Sequence, residues 1–192
     1  MMVRSEQSRD DDAVRGVVAR AFEGTPTSAP PVDDDGVPGE ATLVEWLRES
    51  VSYDKRFALV AVDGEDVVGH VISTWGDLGG VPTLGLGPIS VEPSRQGQGI
   101  GARLMEASLT AAREAGERVV VLLGDPAYYA RFGFVPASSL GITADPTWGD
   151  YFQACPLTVR SADDDECGSD RAAEYSGPRG VFTYAEPFAW LG

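Results

Sequence analysis

The sequence is poor in cations: Lys55 is its single lysine, and 15 basic residues face 30 acidic ones, a formal net charge of −15. Such a surface repels phosphodiester backbones and argues against nucleic-acid partners held by counterion release. Histidine and cysteine are scarce too. His70, Cys155 and Cys167 are too few for a disulfide framework or a four-ligand zinc site, so no metal is expected and both cysteines read as bystanders. A Ser-His-Asp triad would have to use His70, which lies mid-strand with no evident partner, and no nucleophile elbow accompanies it. Long apolar runs are also missing. The longest charge-free stretch, Leu78 to Val91, is broken by glycines and prolines and falls short of the roughly 20 apolar residues of a membrane span, so no membrane partner is expected. The first residues pass straight into acids without the apolar core of a signal peptide, and a cytoplasmic location is the expectation.

What is present reads as a single α/β (α+β) domain over residues 1–192. Asp10, Asp11 and Asp12 head a helix whose apolar positions run Val14, Val17, Val18, Ala21 and Phe22. Residues 23–39, rich in Pro, Thr, Ser, Gly and Asp, carry no period and read as a mobile loop. Their acids do not fit a calcium loop, because Pro31 falls where the first ligand should stand. Thr42 and Glu45 suggest a capping box opening a second short helix along Leu43, Leu47 and Val51. Phe57–Val62 and Asp66–Thr74 form a predicted antiparallel hairpin about the Asp63-Gly64 turn. A third strand, Thr83 to Val91, is interrupted by Gly85, Gly87 and Pro88, which marks a bulge or a close approach of another backbone or ligand. Gly99 to Ala115 is an amphipathic helix with Ile100, Leu104, Ala107, Ser108 and Ala111 on one face, ended by Gly116. A buried strand at Val119–Leu123 and a short helix at Pro126–Phe132 follow. Late strands at Tyr151–Val159 and Gly180–Tyr184 flank the acidic residues 161–179, expected to be a second mobile loop.

The segment that carries chemistry is Ile89-Ser90-Val91-Glu92-Pro93-Ser94-Arg95-Gln96-Gly97-Gln98-Gly99-Ile100-Gly101-Ala102. Three glycines between a strand and a long helix let backbone N–H groups crowd together and point outward, where the helix dipole adds positive potential. That is an anion cradle. Gly97 to Ala102 also satisfies the spacing of a dinucleotide fingerprint, but Glu92 to Gln96 separate strand from glycines and an antiparallel hairpin precedes them. A P-loop would need a Gly-Lys-Ser/Thr that does not follow.

Gln96-Gly97-Gln98-Gly99-Ile100-Gly101 resembles the acetyl-coenzyme-A motif Gln/Arg-x-x-Gly-x-Gly/Ala of the GCN5-related N-acetyltransferase family. Tyr128-Tyr129-Ala130-Arg131-Phe132-Gly133-Phe134 looks like its second signature, a Tyr on a short helix ending in Gly-Phe. The resemblance extends over the element order from Val3 to Tyr184, and it implies a central mixed, mostly antiparallel sheet flanked by helices and splayed at the acetyl-coenzyme-A strand. It further implies transfer of acetyl from acetyl-CoA, without a metal, to a primary amine of a small molecule or peptide, by a monomer or homodimer. The pyrophosphate would rest on Gln96, Gly97, Gln98, Gly99, Ile100, Gly101 and Ala102. The pantetheine arm would pair with Ile89, Ser90 and Val91, and Tyr129 would protonate the departing thiolate. A non-catalytic acyl-CoA sensor and a dinucleotide-binding domain remain as alternatives. Two departures bear on the chemistry. Gly124-Asp125-Pro126 stands where many members carry Asn, and Thr83 stands where some carry a glutamate base. Glu92 and Asp77 read as solvated acids, so no base is assigned.

Overall fold

A computed structural model describes residues 1–26, 28–32, 34, 36–157 and 175–191. Its nine described strands are β1 (Met2–Ser5), β2 (Ala58–Asp63), β3 (Asp66–Leu78), β4 (Val81–Val91), β5 (Val119–Leu123), β6 (Val135–Pro136), β7 (Ile142–Thr143), β8 (Phe152–Pro156) and β9 (Gly180–Thr183). The main path runs β1-β2-β3-β4-β5-β8-β6, and β9 pairs with β3 and with β7. Pairing is antiparallel from β1 to β4, parallel between β4 and β5, and antiparallel again to β8 and β6. The expected mixed, mostly antiparallel sheet flanked by helices is therefore present.

Strand β2 is buried on both faces, and its period of two separates them. Leu59 and Ala61 join the core beneath α3 (Ile100–Glu114) with Leu104, Met105 and Leu86. Ala58, Val60 and Val62 join the core beneath α1 (Asp11–Phe22) and α2 (Gly39–Glu49) with Val14, Val44 and Leu47. A third core gathers Phe152, Phe182 and Leu140 near β8 and β9.

Several expected boundaries move. Helix α2 starts at Gly39, so Thr42 is buried inside the helix rather than capping it, and Val51 lies beyond its end, fully exposed. The N-terminus forms β1, an edge strand too short to announce itself by alternation. Strand β3 continues past Thr74 to Leu78 because Gly76 sits under Thr183 and Phe182, neighbours supplied from more than a hundred residues downstream. The short helix α4 (Pro126–Tyr129) passes into a 3-10 turn over Ala130–Phe132, ended by Gly133 at φ +87°. The late strand ends at Pro156 rather than Val159. Val159 itself, Cys167 and most of the acidic segment 161–179 lie outside the described residues.

Candidate functional site

The hydrogen-bond phase of β4 decides which of its backbone groups are free. Glu92 N–H donates to Val68 O at 3.0 Å, which makes His70 and Ser90, two positions along the ladder, a hydrogen-bonded pair. Val71/Ile89 and Gly69/Val91 are then non-hydrogen-bonded pairs, whose N–H and C=O groups point away from β3. On that side β5 pairs with β4 only at Leu84, Gly85 and Leu86. The register of β4 against β3 slips by one residue between Leu86 and Ile89, a bulge at Gly87-Pro88. Pro88 has no N–H to continue a parallel ladder. Beyond it the two strands part, and the backbone groups of Ile89 and Val91 face the gap. The expected splay is thus observed. Ser90 differs from its neighbours, because its backbone is committed to His70 and its side chain is buried on the α1 side of the sheet.

The glycine turn lies at the end of the same strand. Gly97 and Gly99 adopt φ +74° and +78°, and Gly99 is the N-cap of α3. A Cβ on either would meet nothing within 4 Å, so their backbone conformation and not crowding demands glycine, and the space above the turn is open. Gln96 donates from Nε2 to Val91 O at 3.2 Å, tying the turn to the splayed strand. Arg95 pairs with Asp63 at 2.7 Å and Gln98 at 3.3 Å.

The two tyrosines of α4 separate in space. Tyr128 is exposed, with its hydroxyl 3.1 Å from where a Cβ on Gly101 would stand, and the Arg131 guanidinium sits 4.0 Å from its ring centroid. The Arg131 cation, in a chain so poor in cations, thus stacks on the tyrosine whose hydroxyl approaches Gly101, a position to which the sequence assigned no role. Tyr129 packs inward against Phe134 at 5.8 Å and across the backbone of Gly124. Burial pushes its phenol up to about 12, with the Tyr128 and Asp125 charges adding, so it holds its proton through the neutral range. Tyr184, which the sequence marked only as the end of a late strand, lays its ring over Gly85, within the short stretch where β4 still pairs with β5. Burial, the neighbouring Tyr129 and a smaller opposing contribution from the Leu123 N–H leave its phenol well above the ordinary value. No sequence signal linked Tyr184 to Gly85, since the contact spans 99 positions.

The two carboxylates weighed from the sequence, Glu92 and Asp77, are occupied. Glu92 is bridged by Arg20 at 2.8 to 3.2 Å, and Asp77 accepts from Gly80 N–H at 3.0 Å in the β3–β4 turn. Thr83 is buried and turns its hydroxyl back to Val81 O at 3.1 Å. At the Gly124-Asp125-Pro126 departure, Gly124 N–H donates to Tyr151 O at 2.8 Å and Gly124 O accepts from Gln153 at 2.8 Å, while Asp125 caps α4 through Ala127 N–H. Cys155 is a buried core residue. Among the described residues no cluster of three His, Cys, Asp or Glu side chains is placed to hold a metal, and no helix is long and apolar enough to cross a membrane.

A sheet split beside a glycine-rich helix start is the architecture of an acyl-coenzyme-A-dependent transferase. Residues 25–134 match the acetyltransferase (GNAT) family, and the chain belongs to it; it is an acetyl-CoA-dependent acyltransferase. It is 34% identical over 137 residues to the uncharacterized N-acetyltransferase YhbS of Escherichia coli K12, covering 70% of this chain and 73% of YhbS. It is 32% identical over 178 residues to the uncharacterized N-acetyltransferase YjhQ of the same strain, covering 83% and 91%. The crystal structure of E. coli YhbS in complex with CoA superposes with a TM-score of 0.78 at 29% identity, over 100% of this chain and 93% of that one. A GNAT family acetyltransferase from Brucella melitensis in complex with acetyl-CoA superposes at 0.70 with 30% identity, over 97% of each chain.

Proposed function

We propose that this enzyme transfers an acetyl group from acetyl-CoA to a primary amine by direct attack, with no acetyl-enzyme stage. The observation that carries the reading is the alignment of two features: the backbone edge of Ile89 and Val91, turned into the gap left by β5, and the open glycine turn from Gln96 to Ala102 at its end. The edge is what a pantetheine amide needs for strand-like pairing. The turn, at the N-terminus of the 15-residue helix α3, offers N–H groups and a positive dipole end to a pyrophosphate. That the E. coli and B. melitensis relatives are solved in complex with CoA and acetyl-CoA supports a coenzyme-binding role for this chain.

Bound acetyl-CoA supplies an acetyl group already activated as a thioester. The chain's part is to orient and polarise it. An N–H from Ile89 or Val91 is aimed where negative charge grows on the carbonyl oxygen. Tyr129, protonated and half-buried beside the split, donates to the departing sulfur. The acceptor is an amine of a small molecule or peptide approaching from the face opposite α3. The test is thiol release from acetyl-CoA across an amine panel, with CoA binding followed by calorimetry. Turnover with at least one amine supports the reading; CoA affinity with no turnover across the panel identifies an acyl-CoA sensor instead.

A further inference from the structure

Two phenols reach the fork of the sheet from its two faces. The register of β4 against β5 pairs Leu84, Gly85 and Leu86 with Val120, Val121 and Leu122, so Gly87 and Leu123 are the first residues past the last pair. Leu84, Leu86 and Ile89 pack into the core beneath α3 together with Tyr129. Side chains alternate across a strand, and Gly85 therefore looks out on the other face. There the Tyr184 ring lies over it, with ring carbons 2.7 and 2.8 Å from where a Cβ would stand. Tyr184 follows β9 and packs against the core that holds Phe152 and Phe182. Its oxygen reaches far enough along the strands to feel the Leu123 N–H and the Tyr129 phenol. The phenol on the α3 side thus has a counterpart on the opposite face, at the same fork.

The wall around Tyr184 is aromatic. Phe188, in the 3-10 turn Glu186–Leu191, stands 4.7 Å from it between ring centroids and packs against the core beneath α1 and α2. Trp148, in the 3-10 turn Pro146–Tyr151 before β8, stands 6.0 Å away and packs against the core near β8. All three side chains are partly exposed. The Tyr184 hydroxyl and the Trp148 indole N–H are the polar groups they carry. Among the described residues no cation covers these rings; the stacked arginines lie on Phe57, Tyr128, Phe132 and Tyr175. The bulge leaves room beside this wall. A Cβ on Gly87 would meet only the Phe188 ring, at 3.9 Å, whereas one on Gly85 would collide with Tyr184. Leu123, level with Gly87 across the gap, is 47% exposed. The wall therefore opens where the strands part.

We propose that Tyr184, Phe188 and Trp148 form the acceptor subsite, and that the acceptor is a primary amine with a ring-bearing apolar body. The proposal rests on the acetyltransferase reading above, in which the amine meets the thioester at this fork from the face opposite α3. The Tyr184 hydroxyl accepts an N–H of the amine and turns the nitrogen lone pair toward the gap. Phe188 and Trp148 receive the body of the amine, which an aromatic ring fills edge-to-face and a straight alkyl chain does not.

Calorimetric titration of the CoA-saturated protein with 2-phenylethylamine and with butylamine, which share the amine and differ in the ring, reads the subsite directly. 2-Phenylethylamine should bind at least about tenfold tighter, and Phe188→Leu and Trp148→Leu should each cut that preference at least about threefold. Tyr184→Phe keeps the ring and its packing. It should weaken both amines alike and raise the KM for the amine at least about fivefold, with the KM for acetyl-CoA within about twofold. 1,4-Diaminobutane is the third probe: if it binds tighter than 2-phenylethylamine, the rings select a second cation and the proposal falls. Equal affinities for the two monoamines, no binding of either, or a preference that survives the ring substitutions also overturns it. Should one ring substitution unfold the protein, the other and the wild-type comparison decide. A wild type that holds 2-phenylethylamine but acetylates no amine overturns the acetyltransferase reading and leaves the subsite standing.

Discussion

Gly99→Ala separates the two roles that a glycine at the start of α3 can have. Its φ of +78° places it in the left-handed region, where a side chain costs about 1–2 kcal/mol. Nothing lies within 4 Å of the added Cβ, so no steric clash adds to that cost. For a chain of this length, 1 kcal/mol moves the midpoint by about 2–4 °C, and a fall in Tm of about 2–8 °C is expected. Gly116, just past the other end of the same helix, has φ +85° and equally empty surroundings. Gly116→Ala should therefore lose about as much stability while lying a helix length from the turn. CoA affinity distinguishes them. A methyl group at residue 99 holds the pyrophosphate off the N–H groups of the turn, and a loss of tenfold or more in Kd, about 1.4 kcal/mol, is expected for Gly99→Ala alone. The measurements are thermal melts of both variants without ligand and calorimetric titration with CoA. Equal CoA affinity in the two variants would refute the assignment of the cradle.

Tyr129→Phe should lower kcat while sparing CoA affinity, and Tyr128→Phe should do less; equal losses of turnover would remove Tyr129 as the acid. With the Tyr129 phenol pushed up to about 12, kcat should show no alkaline limb from this group below about pH 10, as a pH–rate profile will show. His70 is depressed below its ordinary value, chiefly by burial, so the unfolded chain binds a proton that the folded one refuses. Stability should therefore fall as pH drops from about 6.5 toward the folded value, and His70→Gln should flatten that slope in urea titrations. Gly85→Ala places a Cβ 2.7 Å from the Tyr184 ring, overpacking that should cost about 1–3 kcal/mol in the same assay. With a net charge of −15, self-repulsion should ease with salt, and Tm should rise in KCl from about 0.1 M to 3 M as the screening length contracts from about 10 Å to below 3 Å; a flat or falling Tm would contradict it.

The glycine turn, the interrupted strand and the Phe132-Gly133-Phe134 stop that follows α4 were legible in the sequence because each is a local requirement. A positive φ at Gly97 and Gly99, or a missing N–H at Pro88, is dictated by the residue itself and holds whatever packs nearby. The same is true of α1 and α3, whose apolar periods resolve within a few residues, and of β5, which is apolar at every position. Tertiary structure decided what depends on a partner far along the chain. Glu6 reaches His70 across 64 positions because β1 pairs with β2 and β2 with β3, so the histidine that looked partnerless is held by a carboxylate from the N-terminus. Tyr184 lies on Gly85 because β9 returns beside β3, and α2 starts at Gly39 because Glu40 accepts from Ala29 N–H at 2.6 Å across the preceding loop. Backbone conformation and apolar period are properties of a short segment. Satisfying a buried polar group is a property of whichever segments the fold brings together, and only the assembled sheet specifies them.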